Sequence, residues 1–385
     1  MRKSINHLYL IILLSILSSV APMGIDTYIP SIPDIASAFK VSIEKIELSL
    51  SIFLIGFSVG QIFGGPLSDK YGRKMSSVFG LLGFAFFSFV IIFSTTIYEL
   101  WFFRFFEAFF GGIVVVNAAA GVRDRFHGSE AAKVFSLIGM VRSIAPLGAP
   151  AIGAFIIHFY SWKAIFIFLT IYALIVAFLI YKDLEESFTY SKQNVIESFK
   201  TVLSHKTALK TMIVLGISFG GFFVIIAKTS FIYIEYFKIQ TDYFPLFFGV
   251  NFIILMLMIK VNVNLLKVYH PSELVRMAIL IQIISAGLLT LNYENISLVL
   301  TVILIASYMS MMAFIFGNCM ALTLEHFPKN AGVASGVVGV FQFGLGAIIS
   351  SISLSFHDGT FFPIGLSICL ISLMAYFIMN NYKNV

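Results

Sequence analysis

A run of about twenty apolar residues constrains a chain more than any single motif, and here such runs recur from end to end. Apolar windows fall near 7–29, 46–66, 75–95, 99–121, 132–157, 162–181, 209–234, 243–262, 275–292, 297–323, 331–356 and 361–380. At about 1.5 Å of rise per residue, helices of this length match a hydrocarbon core of roughly 30 Å. Membrane barrels are excluded, because their strands alternate apolar and polar residues. Only 11% of the 385 residues are charged and 59% are hydrophobic, against roughly 25% charged in an ordinary soluble domain. A soluble enzyme of this composition would lack a polar coat. The pattern predicts an all-α integral membrane protein with twelve transmembrane helices.

Charge placement then sets the expected topology. With the N-terminus inside, the inner loops carry 18 Lys and Arg and the outer loops only four, Lys40, Lys45, Lys163 and Lys238. The positive-inside rule places both termini in the cytoplasm. The net charge of +6 is spread over short loops and forms no dense basic patch, which argues against a nucleic-acid partner. Met1-Arg2-Lys3 before an apolar run resembles a signal peptide, but no small-residue cleavage site follows, so an uncleaved first helix is expected. Cys319 and Cys369 sit inside apolar runs without metal-type spacing.

The one long polar insertion is 182–208, which holds four Lys and four acidic residues. It predicts two six-helix bundles, 1–181 and 209–385, joined by a cytoplasmic linker. Val195, Phe199, Val202 and Leu203 share one helical face, so part of the linker is expected to lie at the membrane interface. Two equal halves joined this way are how repeat-built secondary transporters are organised.

Between the second and third windows stands Gly65-Pro66-Leu67-Ser68-Asp69-Lys70-Tyr71-Gly72-Arg73-Lys74. Gly65 permits close helix approach, Gly72 a tight turn, and Asp69 can meet a helix N-terminus with Arg73 near enough to pair. The segment resembles the loop signature of the major facilitator superfamily. The resemblance implies a cytoplasmic gate built from Gly65, Asp69, Gly72, Arg73, Lys74 and Asp124, with Asp69 docking on the eleventh span near Asn330. Asp26-Thr27-Tyr28-Ile29-Pro30-Ser31-Ile32-Pro33 resembles the first-span pattern of twelve-span drug:proton antiporters of the Bcr/CflA type. Arg104 with Glu107 is similar to the fourth-span motif, although Glu107 stands where the family has Gln. Ala145-Pro146-Leu147-Gly148-Ala149-Pro150-Ala151-Ile152-Gly153 resembles the fifth-span antiporter motif. Pro and Gly are tolerated at membrane depth only where neighbours satisfy the freed backbone, which sets Pro146, Gly148, Pro150 and Gly153 against another helix, with the interface between the halves as the expected place.

Five charged residues fall inside the windows clear of their ends: Asp26, Arg104, Glu107, Arg142 and Lys228. Left unpaired near the bilayer centre, each costs roughly 2.5–3.5 kcal/mol or more, so they are expected to face water or one another. Arg104 and Glu107 are three apart on a helix and can pair; Arg142 lies at similar depth. Under the repeat, Asp26 corresponds roughly to Lys228, and both are expected to face one cavity, with snorkelling of Lys228 to the outer interface as the alternative. Tyr28, Tyr233 and Asn251 are further cavity candidates.

These readings predict a proton-coupled efflux transporter of the inner membrane, working as a monomer by alternating access. Asp26 and Glu107 are the expected proton carriers, and Arg104 tunes the transfer. The partners are a small-molecule substrate, protons and lipid; no cofactor or metal is expected beyond the proton motive force. Two negative against three positive intramembrane groups favour neutral, zwitterionic or anionic compounds over lipophilic cations. A metabolite or siderophore transporter on the same fold is the alternative. A polytopic membrane enzyme is disfavoured, because the seven His are scattered.

Overall fold

The computed structural model describes residues 7–125, 148–186, 195–294, 297–327, 331–356 and 358–382. Each apolar window within them folds as helix, because a helix satisfies its own backbone where water is absent. Among the described residues there is no strand.

The chain divides into two compact units, 1–193 and 194–385. The first holds α1 (His7–Ser18), α2 (Val20–Asp26), α3 (Ile32–Phe39), α4 (Ile43–Tyr71), α5 (Arg73–Ile91), α6 (Ile97–Arg123), α7 (Gly148–Phe159) and α8 (Lys163–Asp183). The second holds α9 (Val195–Ser204), α10 (Lys206–Ser230), α11 (Phe244–Leu265), α12 (Pro271–Leu291), α13 (Leu298–Ser310), α14 (Met312–Leu324), α15 (Ala331–Val340), α16 (Gly346–Leu354) and α17 (Phe362–Asn380). Among the described residues ten helical stretches are long and apolar enough to cross a membrane, and a bent pair near the start of the chain brings the number to 11. Most of the fifth window, with Arg142 and Pro146, lies outside the described residues, as does Asn330.

The first window is not one straight helix. Its two parts, Leu8–Ser18 and Val20–Phe39, meet at 42°. Pro30 and Pro33 occupy the opening positions of a short 3₁₀ turn (Ile29–Ser31) and of α3, where a missing N–H leaves no bond unmade. In the second unit, π-helical turns at Phe231–Tyr236 and Phe341–Leu345 interrupt the seventh and eleventh windows.

Local signals set several ends. Thr96 and Glu99 close a reciprocal capping box on α6, with Glu99 N–H donating to Thr96 Oγ1 at 3.3 Å and Thr96 N–H to Glu99 Oε2 at 3.2 Å. Helices α4 and α6 then pack backbone to backbone. Gly56 and Gly60 lie against the carbonyls of Phe105 and Phe109, leaving no room for a Cβ at either position, the small-residue contact that brings membrane helices together. Gly65 plays no such part among the described residues, none of which lies within 4 Å of where its Cβ would stand; the contacts at Gly60 and Gly56 lie nearer the start of α4. In the second unit α9 packs on α10 and α15. Val202 is buried there, whereas Leu203, expected on the same face, is 44% exposed.

Candidate functional site

In the first unit the site is built around one buried cation. Arg104, two turns into α6, is fully enclosed. Its Nη1 donates to Glu107 Oε2 at 2.7 Å and to the Gly24 carbonyl at 3.1 Å. The i, i+3 spacing sets the two side chains one above the other. Ser88 Oγ on α5 donates to the other carboxylate oxygen, Glu107 Oε1, at 2.7 Å. Among the described residues Arg104 Nε and Nη2 make no hydrogen bond. The guanidinium instead lies over aromatic faces, 4.3 Å from the Phe53 ring centroid, 4.5 Å from Tyr28 and 5.9 Å from Phe166, where the ring quadrupoles attract a cation. Tyr28 is itself buried, and its hydroxyl shares a 2.9 Å hydrogen bond with Ser49 Oγ on α4.

Asp26 ends α2, two residues past the carbonyl that receives Arg104. It is 4% exposed, and its carboxylate makes no hydrogen bond or ion pair among the described residues. Gly153 of α7 presses on the adjacent backbone: a Cβ there would run into the Thr27 carbonyl. That part of the fifth-span motif therefore packs on the first span of its own half, with a glycine because the approach is too close for a side chain. Pro150 is buried nearby in sequence, whereas at Gly148 no described residue lies within 4 Å of the Cβ position.

The sequence reading missed one further buried charged residue among the described ones. Glu47 is wholly buried on α4. The run Glu44-Lys45-Ile46-Glu47 reads as the edge of a polar loop, but α4 starts at Ile43, which carries Glu47 a full turn into the helix. Ser88, Phe53 and Phe166 were also unmarked. A Ser in an apolar run and two Phe among 43 carry no signal of their own until the fold brings them to Arg104.

The loop signature forms a second polar cluster in this unit. Arg73 Nε donates to Asp124 Oδ2 at 2.9 Å and Nη1 to Ser68 Oγ at 2.6 Å. Gly72 takes φ +89°, a conformation open to glycine but costly to other residues, and so ends α4 and starts α5 in one step. The Asp69 side chain lies outside the described part. Lys74 Nζ stands 5.2 Å from the centre of the Tyr181 ring.

In the second unit Lys228 is 1% exposed and lies 5.6 Å from the Phe231 ring centroid. It is enclosed by protein and does not run out to a surface. Tyr233 stacks near Phe247 at 5.3 Å, and Asn251 Nδ2 donates to the Phe247 carbonyl at 3.1 Å. Both residues are buried. Two polar contacts that the sequence reading had not singled out tie this half together. Asn318 Nδ2 donates to Asn262 Oδ1 at 3.0 Å, and the Tyr308 hydroxyl meets Ser372 Oγ at 3.2 Å.

Comparison with known proteins follows the same lines. The model of the Major Facilitator Superfamily matches residues 14–351. A bicyclomycin resistance protein homolog of Haemophilus influenzae is 31% identical over 388 residues, covering 96% of each chain. A chloramphenicol resistance protein of Pseudomonas aeruginosa is 29% identical over 160 residues, 41% of this chain and 38% of that one. Among solved structures, the partially occluded inward-open xylose transporter XylE from E. coli superposes with a TM-score of 0.77 at 14% identity, over 98% of both chains. Matched across most of its length by the family model and across nearly all of it by a relative, this chain belongs to the Major Facilitator Superfamily of membrane transporters.

Proposed function

We propose that the chain is a twelve-span, proton-coupled antiporter that exports small molecules across a bacterial inner membrane. The observation that carries this reading is the buried Arg104–Glu107 pair set among aromatic rings, with Arg104 bonded to the Gly24 carbonyl two residues before the enclosed Asp26. Ionisable groups at membrane depth are costly and earn their place where they take up and release charge. Asp26 and Glu107 would carry the proton, and Arg104 would answer the change in charge on Glu107. The resistance proteins among the relatives support export of antibiotics or similar compounds.

Glu47 changes the expected substrate. With it, the intramembrane groups number three carboxylates (Asp26, Glu47, Glu107) and three cations (Arg104, Arg142, Lys228). A balanced set favours neutral and zwitterionic compounds, amphenicol-like or peptide-like, over anions and over lipophilic cations.

The test uses inside-out vesicles made acid inside, a pH-sensitive dye and a panel of drugs and metabolites, with wild type beside Asp26→Asn. A compound that dissipates the gradient in wild type alone supports antiport and a coupling role for Asp26. Dissipation that persists in Asp26→Asn removes Asp26 from the coupling. A compound transported with no proton movement overturns the antiport reading. In the same assay Lys228→Met tests whether Lys228 acts on Asp26; an unchanged pH profile would count against it.

A further inference from the structure

The start of α5 is held by a residue 113 positions away. Glu186 sits just beyond α8, at the beginning of the segment that joins the two halves. Its Oε1 accepts from the Arg73 N–H at 2.8 Å and its Oε2 from the Lys74 N–H at 3.1 Å. The first N–H groups of a helix have no partner within it. Helix α5 carries no acidic residue in its first turn and no cap of its own, since Gly72 stands at that position. A carboxylate on both amides matches the positive end of the helix as well as the unmet donors. Gly72 is small where it must be: a Cβ there would strike the Glu186 carboxylate.

The neighbours of Glu186 are fastened too. Arg125, just past α6, donates from Nη2 to the Glu185 carbonyl. The Tyr9 hydroxyl on α1 donates to Asp183 Oδ2 at 2.5 Å. The segment from 181 to 186 is thus tied to α1, α5 and the end of α6 within one unit. Two of those ties land on the loop signature or on the residue next to Asp124.

We infer that Glu186 is a positioning residue of the signature loop. It clamps the beginning of the inter-half segment to the beginning of α5, so that loop and segment shift together when the transporter changes state. The carboxylate is exposed, so the clamp adds little to overall stability; its effect belongs to the rate of the conformational step. The functional half of this inference rests on the transport reading above, and the contact itself does not.

The full-length chain in nanodiscs, as wild type, Glu186→Gln and Glu186→Ala, is followed by hydrogen–deuterium exchange over 72–76 and by efflux in vesicles. With the clamp removed in Glu186→Ala, amide exchange over 72–76 should rise about tenfold, from loss of a cap. Glu186→Gln, which keeps one acceptor oxygen, should rise less. Efflux velocity in Glu186→Ala should fall about fivefold with KM unchanged, the pattern of a slowed conformational step. Unchanged exchange would overturn the clamp. Faster exchange with wild-type velocity would overturn the positioning role. Loss of velocity together with a raised KM and a lower melting temperature would mark the residue as structural. If the wild type moves no compound, the transport reading fails and takes the functional half with it, while exchange still decides the contact.

Discussion

Arg104 and Glu107 face each other one helical turn apart at 2.7 Å, and neither side chain is exposed. Such a pair is not a simple source of stability, since taking both charges out of water offsets much of their attraction. Removing one partner is far more costly, because it strands the other. Glu107→Ala is therefore expected to destabilise the chain by about 3–5 kcal/mol. Arg104→Met combined with Glu107→Met is expected to recover most of that loss while leaving transport abolished. A double-mutant cycle on thermal unfolding in detergent measures the coupling. Additive losses would mean that the two residues are not energetically paired.

Gly153 meets the Thr27 carbonyl, a backbone atom that cannot rotate away. Gly153→Ala should push α7 off the first span and cost about 1–3 kcal/mol, the usual penalty of overpacking. Because Asp26 is the neighbour of Thr27, the larger effect should fall on transport. Initial efflux rates and melting curves on the same preparation check this. Full activity in Gly153→Ala would show that the close approach is not required.

Arg73 and Asp124 pair at 2.9 Å with side-chain exposures of 13% and 20%. Water reaches both, so the bond adds about 1 kcal/mol or less to stability. Its importance should lie in the geometry of the loop. Asp124→Ala should lower the efflux velocity several-fold with little change in melting temperature. Exchanging the charges, Arg73→Asp with Asp124→Arg, should restore only part of it, because the swapped chain loses the bond to Ser68. Full restoration would show that charge alone matters at this position.

How much of this was readable from the residues depends on the range of each contact. The apolar windows translate almost directly into helices, because a spanning segment must satisfy its backbone locally. The pairing of Arg104 with Glu107 follows from a spacing of three. The glycine contacts are harder: Gly65 carries the sequence signature, yet Gly56 and Gly60 make the close packing on α6, and only the helix crossing decides which face is used. Glu47 was hidden by its neighbours Glu44 and Lys45, since the start of a helix cannot be fixed by hydropathy alone. Glu186 and Gly72, or Gly153 and Thr27, are more than a hundred residues apart. No periodicity connects them; tertiary packing alone does.

The end of α14 supplies a test by pH. His326 stacks on His205 with ring centroids 4.4 Å apart. Burial first, and then the neighbouring His205, hold the His326 imidazole below its ordinary value of 6.5, while Glu325 pulls the other way. The folded chain thus binds a proton at His326 less readily than the unfolded chain, so stability increases with pH over this range. The contribution is complete above about pH 6.5 and is lost as the pH falls through the lowered folded value. The melting temperature of the wild type should drop between pH 7.5 and pH 5 by more than that of His326→Gln, which has no imidazole to protonate. Parallel melting curves for the two proteins would show that acid acts elsewhere, and that the stacked pair contributes nothing to the pH response.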